Sequence, residues 1–337
     1  MKIKMTALLG SAALALMATS ASAADLACLI TKNNTNPFFV KMKEGAEKAA
    51  ADAGLDFQAY AGEKDGDAAP QITAIENCMA AGAKGILITP SNDSVGPALK
   101  DARAAGILVI ALDTPLADPE AQDMTFATDN FEAGLLIGKW AAAKLGAEAA
   151  NAKIGMLDIN KDNISVDVAR DTGFLVGFGI EVPDLTVMGS ETDPRVIGHE
   201  SSDANPEGGL RAMETLLAKD PDINVVYTIN EPAAEGAYQA LKNAGKEGQA
   251  IIVSVDGGCP GVASVKSGVI GATSQQYPLL MASKGIEAIV AFAKDGTKPA
   301  ASDGLSFFNT GVNLVTDQPV DGVPSIDSAK GTELCWG

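Results

Sequence analysis

Seven short, almost uninterrupted apolar runs recur along this chain, and a stretch with helical spacing follows nearly every one; that alternation restricts the fold more than any other feature. The runs are LACLIT (26–31), LDFQAY (55–60), GILIT (85–89), ILVIALD (107–113), KIGMLDI (153–159), INVVYTI (223–229) and AIIVSVD (250–256). Between them apolar residues fall three and four apart, as at Phe39, Met42, Ala46, Ala49 and Ala53. Strands that are apolar throughout are buried on both faces, and their alternation with helices specifies parallel sheets in an α/β fold. Right-handed crossovers then carry the loop after each strand to one edge of its sheet.

The first 23 residues read as an export signal. Lys2 and Lys4 precede the apolar run Ala7 to Ala18, and Ala21-Ser22-Ala23 supplies the small residues of a cleavage site. The run is shorter than the ~20 residues that a membrane span needs. Cys28 as a lipidated residue is disfavoured, because Asp25 stands where that motif wants an apolar side chain. Removing 23 of the 337 residues leaves 314, too many for one ordinary core and suited to two lobes. A boundary falls near MTFATDN (124–130), and GATSQQYP (271–278) and SFFNTGVNLV (306–315) read as two further extended segments. Three crossings of this kind would form a hinge between lobes spanning 24–127 with 278–308 and 128–277 with 309–337.

The precursor carries a net charge of −18, and loss of Lys2 and Lys4 takes it to −20. Such a field repels nucleic acid and anionic lipid, so partners of those classes are not expected. Exported cysteines meet an oxidising compartment. Cys335 lies in the short tail CWG, which a bridge to Cys259 would tie down, whereas Cys28 in a strand and Cys78 in a helix read as two buried free thiols.

Catalytic signatures are weak. GLLIGKW (134–140) has the wrong glycine spacing for a phosphate-binding loop, and Trp140 replaces the hydroxyl residue such a loop needs. Glu63, Asp65 and Asp67 resemble the start of a calcium loop, but Ala68 replaces its glycine and no glutamate closes it, which leaves a solvated turn. His199 is the only histidine, so it has no second imidazole for a metal site or triad and reads as a surface residue. What recurs is a polar group just after a strand. Asn36, Phe38 and Phe39 follow the first, Asp113 ends the fourth, Arg170 follows KIGMLDINKDNISVDVA, Asn230 and Asp256 end later strands, and Gln276 closes GATSQQ. Carboxylates, amides and a guanidinium grip paired hydroxyls, and aromatic faces pack on the C–H face of a sugar. Each residue has a structural alternative: the acidic ones could cap helices and the phenylalanines could be core.

The segments NNTNPFF, VIALDTP, TINEPAA, VSVDGG and TSQQYP resemble, in order and spacing, the ribose-binding-protein group of periplasmic sugar-binding proteins serving ABC importers. The chain is most similar to bacterial fructose-binding proteins around TKNNTNPFFVKMKEG, ALDTPL, FATDN and the terminal CWG. The resemblance implies the type I periplasmic binding protein fold, two Rossmann-like lobes joined by a three-segment hinge. It implies no enzymatic activity and no cofactor or metal. It places Asn36, Phe38, Phe39 and Asp113 on the first lobe, Arg170, Asn230 and Asp256 on the second and Gln276 at the hinge, with Lys32 a weaker contact or a solvated lysine. Thr114 stands where ribose binders carry arginine and Ala204 where they carry an aromatic, which implies a hexose rather than ribose; the resemblance to fructose-binding proteins makes fructose the expected sugar, with another hexose or a polyol as the alternative. The expected partners are an ABC permease and a chemoreceptor, reached by a periplasmic monomer. An exported sugar-active enzyme using Asp113 and Asp256 as acid and base is the rival reading.

Overall fold

The computed structural model describes residues 24–337, so the expected export signal lies outside the described residues. The chain opens as β1 (Leu26–Thr31), α1 (Pro37–Ala53), β2 (Asp56–Ala61), α2 (Ala69–Ala80), β3 (Gly85–Ile88), α3 (Gly96–Ala104), β4 (Leu108–Leu112) and β5 (Met124–Ala127). A second set follows: α4 (Asn130–Leu145), β6 (Ile154–Asp158), α5 (Ser165–Phe178), β7 (Val196–Ser201), α6 (Pro206–Lys219), β8 (Val225–Thr228), α7 (Glu231–Asn243), β9 (Ile251–Asp256), α8 (Cys259–Lys266) and β10 (Ala272–Gln275). The chain ends with α9 (Pro278–Asp295), β11 (Phe308–Asn309), β12 (Asn313–Val315) and α10 (Ser328–Leu334).

The strands form two sheets of matching order, β2-β1-β3-β4-β5-β11 and β7-β6-β8-β9-β10-β12. Pairing is parallel except between β10 and β12. Three segments pass between the sheets: from β5 into α4, from β10 into α9, and between β11 and β12. The first and third are tied together where the Thr128 hydroxyl donates to the Gly311 carbonyl oxygen (3.2 Å). Helix α9 returns to the first sheet, where Met281, Ala282, Ile286 and Ile289 pack with Ala27, Leu29, Leu87, Ile110 and Phe126.

Residue alternation along β1 sends Ala27 and Leu29 to the α1 and α9 side and Cys28 and Ile30 to the α2 and α3 side. There Cys78, on the buried face of α2, meets Cys28, and the two form a disulfide. The free-thiol expectation for that pair is therefore corrected: the helix face and the strand face were each read as core, and their register was not visible in the sequence. Cys259 and Cys335 form the second disulfide, and among the described residues no cysteine is free.

The glycines of GLLIGKW serve helix packing. A Cβ at Gly138 or Gly134 would collide with the backbone of α5 at Phe174 or Arg170, and Gly173 and Gly177 return the same close approach against Phe131 and Leu135 of α4. Trp140 on α4 is fully buried in the second lobe's core.

Candidate functional site

The strand C-terminal ends of both sheets face one cleft, and Arg170 sits at its centre, 4% exposed. Its guanidinium reaches four partners. Nε donates to Asn130 Oδ1 (2.8 Å), one terminal nitrogen donates to the Ile229 carbonyl oxygen (3.1 Å), and the other lies 3.2 Å from Gln276 Oε1 and 3.4 Å from Asp113 Oδ1. Gln276 Nε2 then donates to Asp256 Oδ1 (2.8 Å). A continuous chain Asp113, Arg170, Gln276, Asp256 thus runs from the first lobe through the hinge to the second. All four side chains are buried.

Asp113 and Asp256 occupy corresponding places, just past β4 and at the end of β9, the fourth strand in each order. Both have positive φ (63° and 143°), a region that favours glycine. Such strain in non-glycine residues at a binding edge is what pre-organised sites show. Burial pushes the Asp256 carboxyl up to about 7; the nearby Arg170 and Gln276 oppose this and Asp113 adds to it. Glu231, at the start of α7, is pushed up to about 8 by burial and by the charge of Asp256, while its oxygens accept from the Gly257 and Gly258 amides (2.9 and 3.0 Å) and the Thr273 hydroxyl (2.8 Å).

That pair makes a pH prediction. The folded protein retains protons that unfolded carboxyls release near pH 4, so their contribution to stability is full below that pH and is lost as pH rises through 7 to 8. Thermal melts of ligand-free protein should fall from pH 5 to pH 8. Glu231→Gln should flatten part of that slope, and a variant that tracks the wild type at both values would show that Glu231 is ionised throughout.

The other expected residues divide. Lys32 is 2% exposed, which rules out the solvated alternative. It lies by Asp65, whose carboxyl is raised by burial and by Asp113 and held down by Lys32 and by the Asn33 side-chain amide (3.0 Å). The acidic turn is thus corrected: Asp65 follows β2 to the same edge. Asn36 and Asn230 each cap a helix, accepting from the Phe38 amide (3.0 Å) and the Ala233 amide (3.0 Å), and Asn230 Nδ2 also donates to the Ala204 carbonyl oxygen (3.1 Å). Asn36 still borders a groove of about 390 Å³ shared with Glu231, Asp256 and Trp336. Phe38 and Phe39 are 3% and 5% exposed and belong to the first lobe's core, Phe38 standing edge-on to Trp336 at 5.4 Å between ring centroids. The sequence reading missed Asn130, Glu231 and Asp65, and each carries the signal that found the rest, a polar residue at or near a strand's end. His199 is also corrected: it is not a surface residue but lies against Asp158, Asp171 and Glu191.

Comparison with known proteins agrees with this architecture. A model of the periplasmic binding protein domain matches residues 27–298. The chain is 33% identical to the ribose import binding protein of Haemophilus influenzae, over 84% of this chain and 91% of that protein. It is 27% identical to the D-allose-binding periplasmic protein of Escherichia coli, over 83% and 88%. In fold it is similar to a carbohydrate transporter solute binding protein from Agrobacterium radiobacter solved with D-arabinose, with a TM-score of 0.76 at 24% identity over 94% of this chain and 99% of that one. These relatives are binding proteins, not enzymes. With two matching lobes, three crossings and a family match over most of its length, the chain belongs to the periplasmic binding proteins.

Proposed function

We propose that the protein captures a monosaccharide, fructose, between its lobes and presents it to the permease of an ABC importer. The observation that carries this reading is the buried chain Asp113, Arg170, Gln276, Asp256, which supplies two carboxylates, a guanidinium and an amide from both lobes and the hinge. A ligand that bridges these groups stabilises the shut state over the open one, which is how a hinge is driven closed. Lys32, Asn36, Asn230 and Asp65 stand around that chain as further contacts, and Phe38 and Phe39 back it from the core. The ribose and allose in the relatives' names support the ligand class. Thr114 and Ala204, both small and buried at the cleft edge, leave room that favours a hexose over ribose. On this reading the lobes are 24–127 with 278–308 and 128–277 with 309–337, residues 1–23 direct export to the periplasm, and the protein acts as a monomer that a chemoreceptor can also read.

Thermal melting of ligand-stripped protein against pentoses, hexoses and polyols tests this. A sugar at a hundred times its Kd should stabilise by ~2.7 kcal/mol, a shift of several degrees. A larger shift with another hexose or polyol would replace fructose, and no shift with any sugar would end the reading.

A further inference from the structure

Beside Arg170 on α5 lies a cluster that the proposed sugar site does not use. Asp158 ends β6, His199 sits in the middle of β7, and Asp167 and Asp171 stand one turn apart on α5. His199 Nδ1 is 2.8 Å from Asp158 Oδ2 and 3.4 Å from Asp171 Oδ2, and Nε2 is 2.9 Å from Glu191 Oε1. Asp158 and Asp171 are buried, and the Glu191 side chain is 4% exposed. Both Asp171 oxygens and Asp158 Oδ1 lack an N–H or hydroxyl donor, and the Asp171 carboxyl faces that of Asp158. Among the described residues no lysine or arginine forms an ion pair with any of these carboxylates. One imidazole cannot compensate so many buried acids, and an uncompensated buried charge is strongly destabilising.

A second observation points to what is bound. Met156 on β6 pairs with His199 on one side and with Tyr227 of β8 on the other, so His199, Met156 and Tyr227 form one row with side chains on the α5 face. The Tyr227 hydroxyl is fully buried, has no partner, and lies within the field of Asp158, Asp167 and Asp171, which Arg170 opposes. A buried tyrosine hydroxyl ordinarily finds a partner.

We infer that Asp158, Asp171 and His199 Nδ1 bind a zinc ion, with Glu191 accepting from His199 Nε2 and the Tyr227 hydroxyl bonded to a water in the fourth position. The three donor atoms lie within 4.8 Å of one another. Tetrahedral zinc with bonds of about 2.0–2.2 Å sets donors about 3.3–3.6 Å apart, which the 3.4 Å from Nδ1 to Asp171 Oδ2 meets and which the 2.8 Å from Nδ1 to Asp158 Oδ2 would open to reach. An imidazole donor argues against calcium and magnesium, which take oxygen ligands. A carboxylate on the far imidazole nitrogen is the arrangement that fixes the tautomer and orients a metal-bound histidine. A dication would offset the two ligating carboxylates, Asp158 and Asp171.

The test uses the full mature chain, purified without chelator. Elemental analysis after gel filtration should find one zinc per chain. After chelator treatment, ZnCl2 should raise Tm whereas CaCl2 and MgCl2 should not, and Co²⁺ in place of zinc should give the visible absorption of a four-coordinate site. Asp171→Asn should abolish uptake, and Glu191→Gln should weaken it by about 10- to 100-fold. Folded wild-type protein that takes up no zinc at micromolar concentration would overturn the inference and leave a proton-sharing carboxyl pair. Zinc bound equally tightly by Glu191→Gln, a variant expected to fold because its amide can still accept from His199, would overturn it as well. Neither outcome touches the sugar reading, which the melts against sugars decide separately.

Discussion

Arg170→Met is expected to weaken sugar binding by about 100-fold or more, the largest effect of any single change in the cleft. Among the described residues the guanidinium is the only group that contacts Asp113 and the hinge glutamine at once, and it also fixes Asn130 and the Ile229 carbonyl. Methionine keeps much of the buried volume and removes every donor. Asp113 and the Gln276–Asp256 pair then lose their common partner, and truncating one member of a buried charged pair costs about 3–5 kcal/mol. Part of that cost appears in the free protein, so Tm should drop too. The remainder falls on the complex, where hydrogen bonds to charged groups are worth ~1.5–3 kcal/mol each. Titration calorimetry with fructose, or with whichever sugar the melts select, measures it. A Kd within threefold of wild type, in protein with an unchanged circular dichroism spectrum, would remove Arg170 from the site.

Gly134→Ala should lower stability by about 3 kcal/mol, a fall in Tm of roughly 6–10 °C. The added Cβ would stand 2.8 Å from the Phe174 amide nitrogen and closer still to the Arg170 carbonyl oxygen. Both obstacles are backbone in the middle of α5, so no rotamer change relieves them and the helices must move apart. Because Arg170 is itself the residue struck, affinity should fall along with stability. Gly96→Ala in α3 is the control: its Cβ would meet only Ala121 at 3.8 Å, in a helical backbone that accepts alanine. Differential scanning calorimetry of the two variants separates the cases, and equal melting temperatures would show that α4 and α5 do not pack as described.

The two sheets were legible because most of their strands are apolar throughout, and the rule that parallel strands end at one edge picked out Asp113, Asn230, Asp256 and Gln276, which the fold brings to that edge. β7 was not legible. VIGHES is half polar, an edge strand whose residues are all half-buried, and it lacks the continuous apolar run that marks the others. With β7 unread, His199 had no neighbours and was assigned to the surface. Asp65 was lost for a related reason: in sequence it is one of three acids in a turn, and only the fold brings it beside Lys32 and Asp113. Phe38 and Phe39 show how packing adds to what the sequence says. They share the loop with true edge residues, but α1 begins at Pro37, so its first turn directs both rings into the core. Glu231 is adjacent to a residue that was singled out, yet its role depends on the amides of Gly257 and Gly258, which are distant in sequence.

The return of α9 to the first sheet has a consequence for the order in which the molecule can be made. Met281, Ile286 and Ile289 form one wall of the core around Leu29, Leu87 and Ile110, and β11 supplies that sheet's last strand. The first lobe is therefore started by the first of the described residues and completed only by segments near the last of them. A ribosome or an export channel that has released everything up to β10 has released a finished second sheet but for β12, and a first lobe still open along one face. Such a chain cannot close its first core early, and it stays threadable until almost the whole of it has passed.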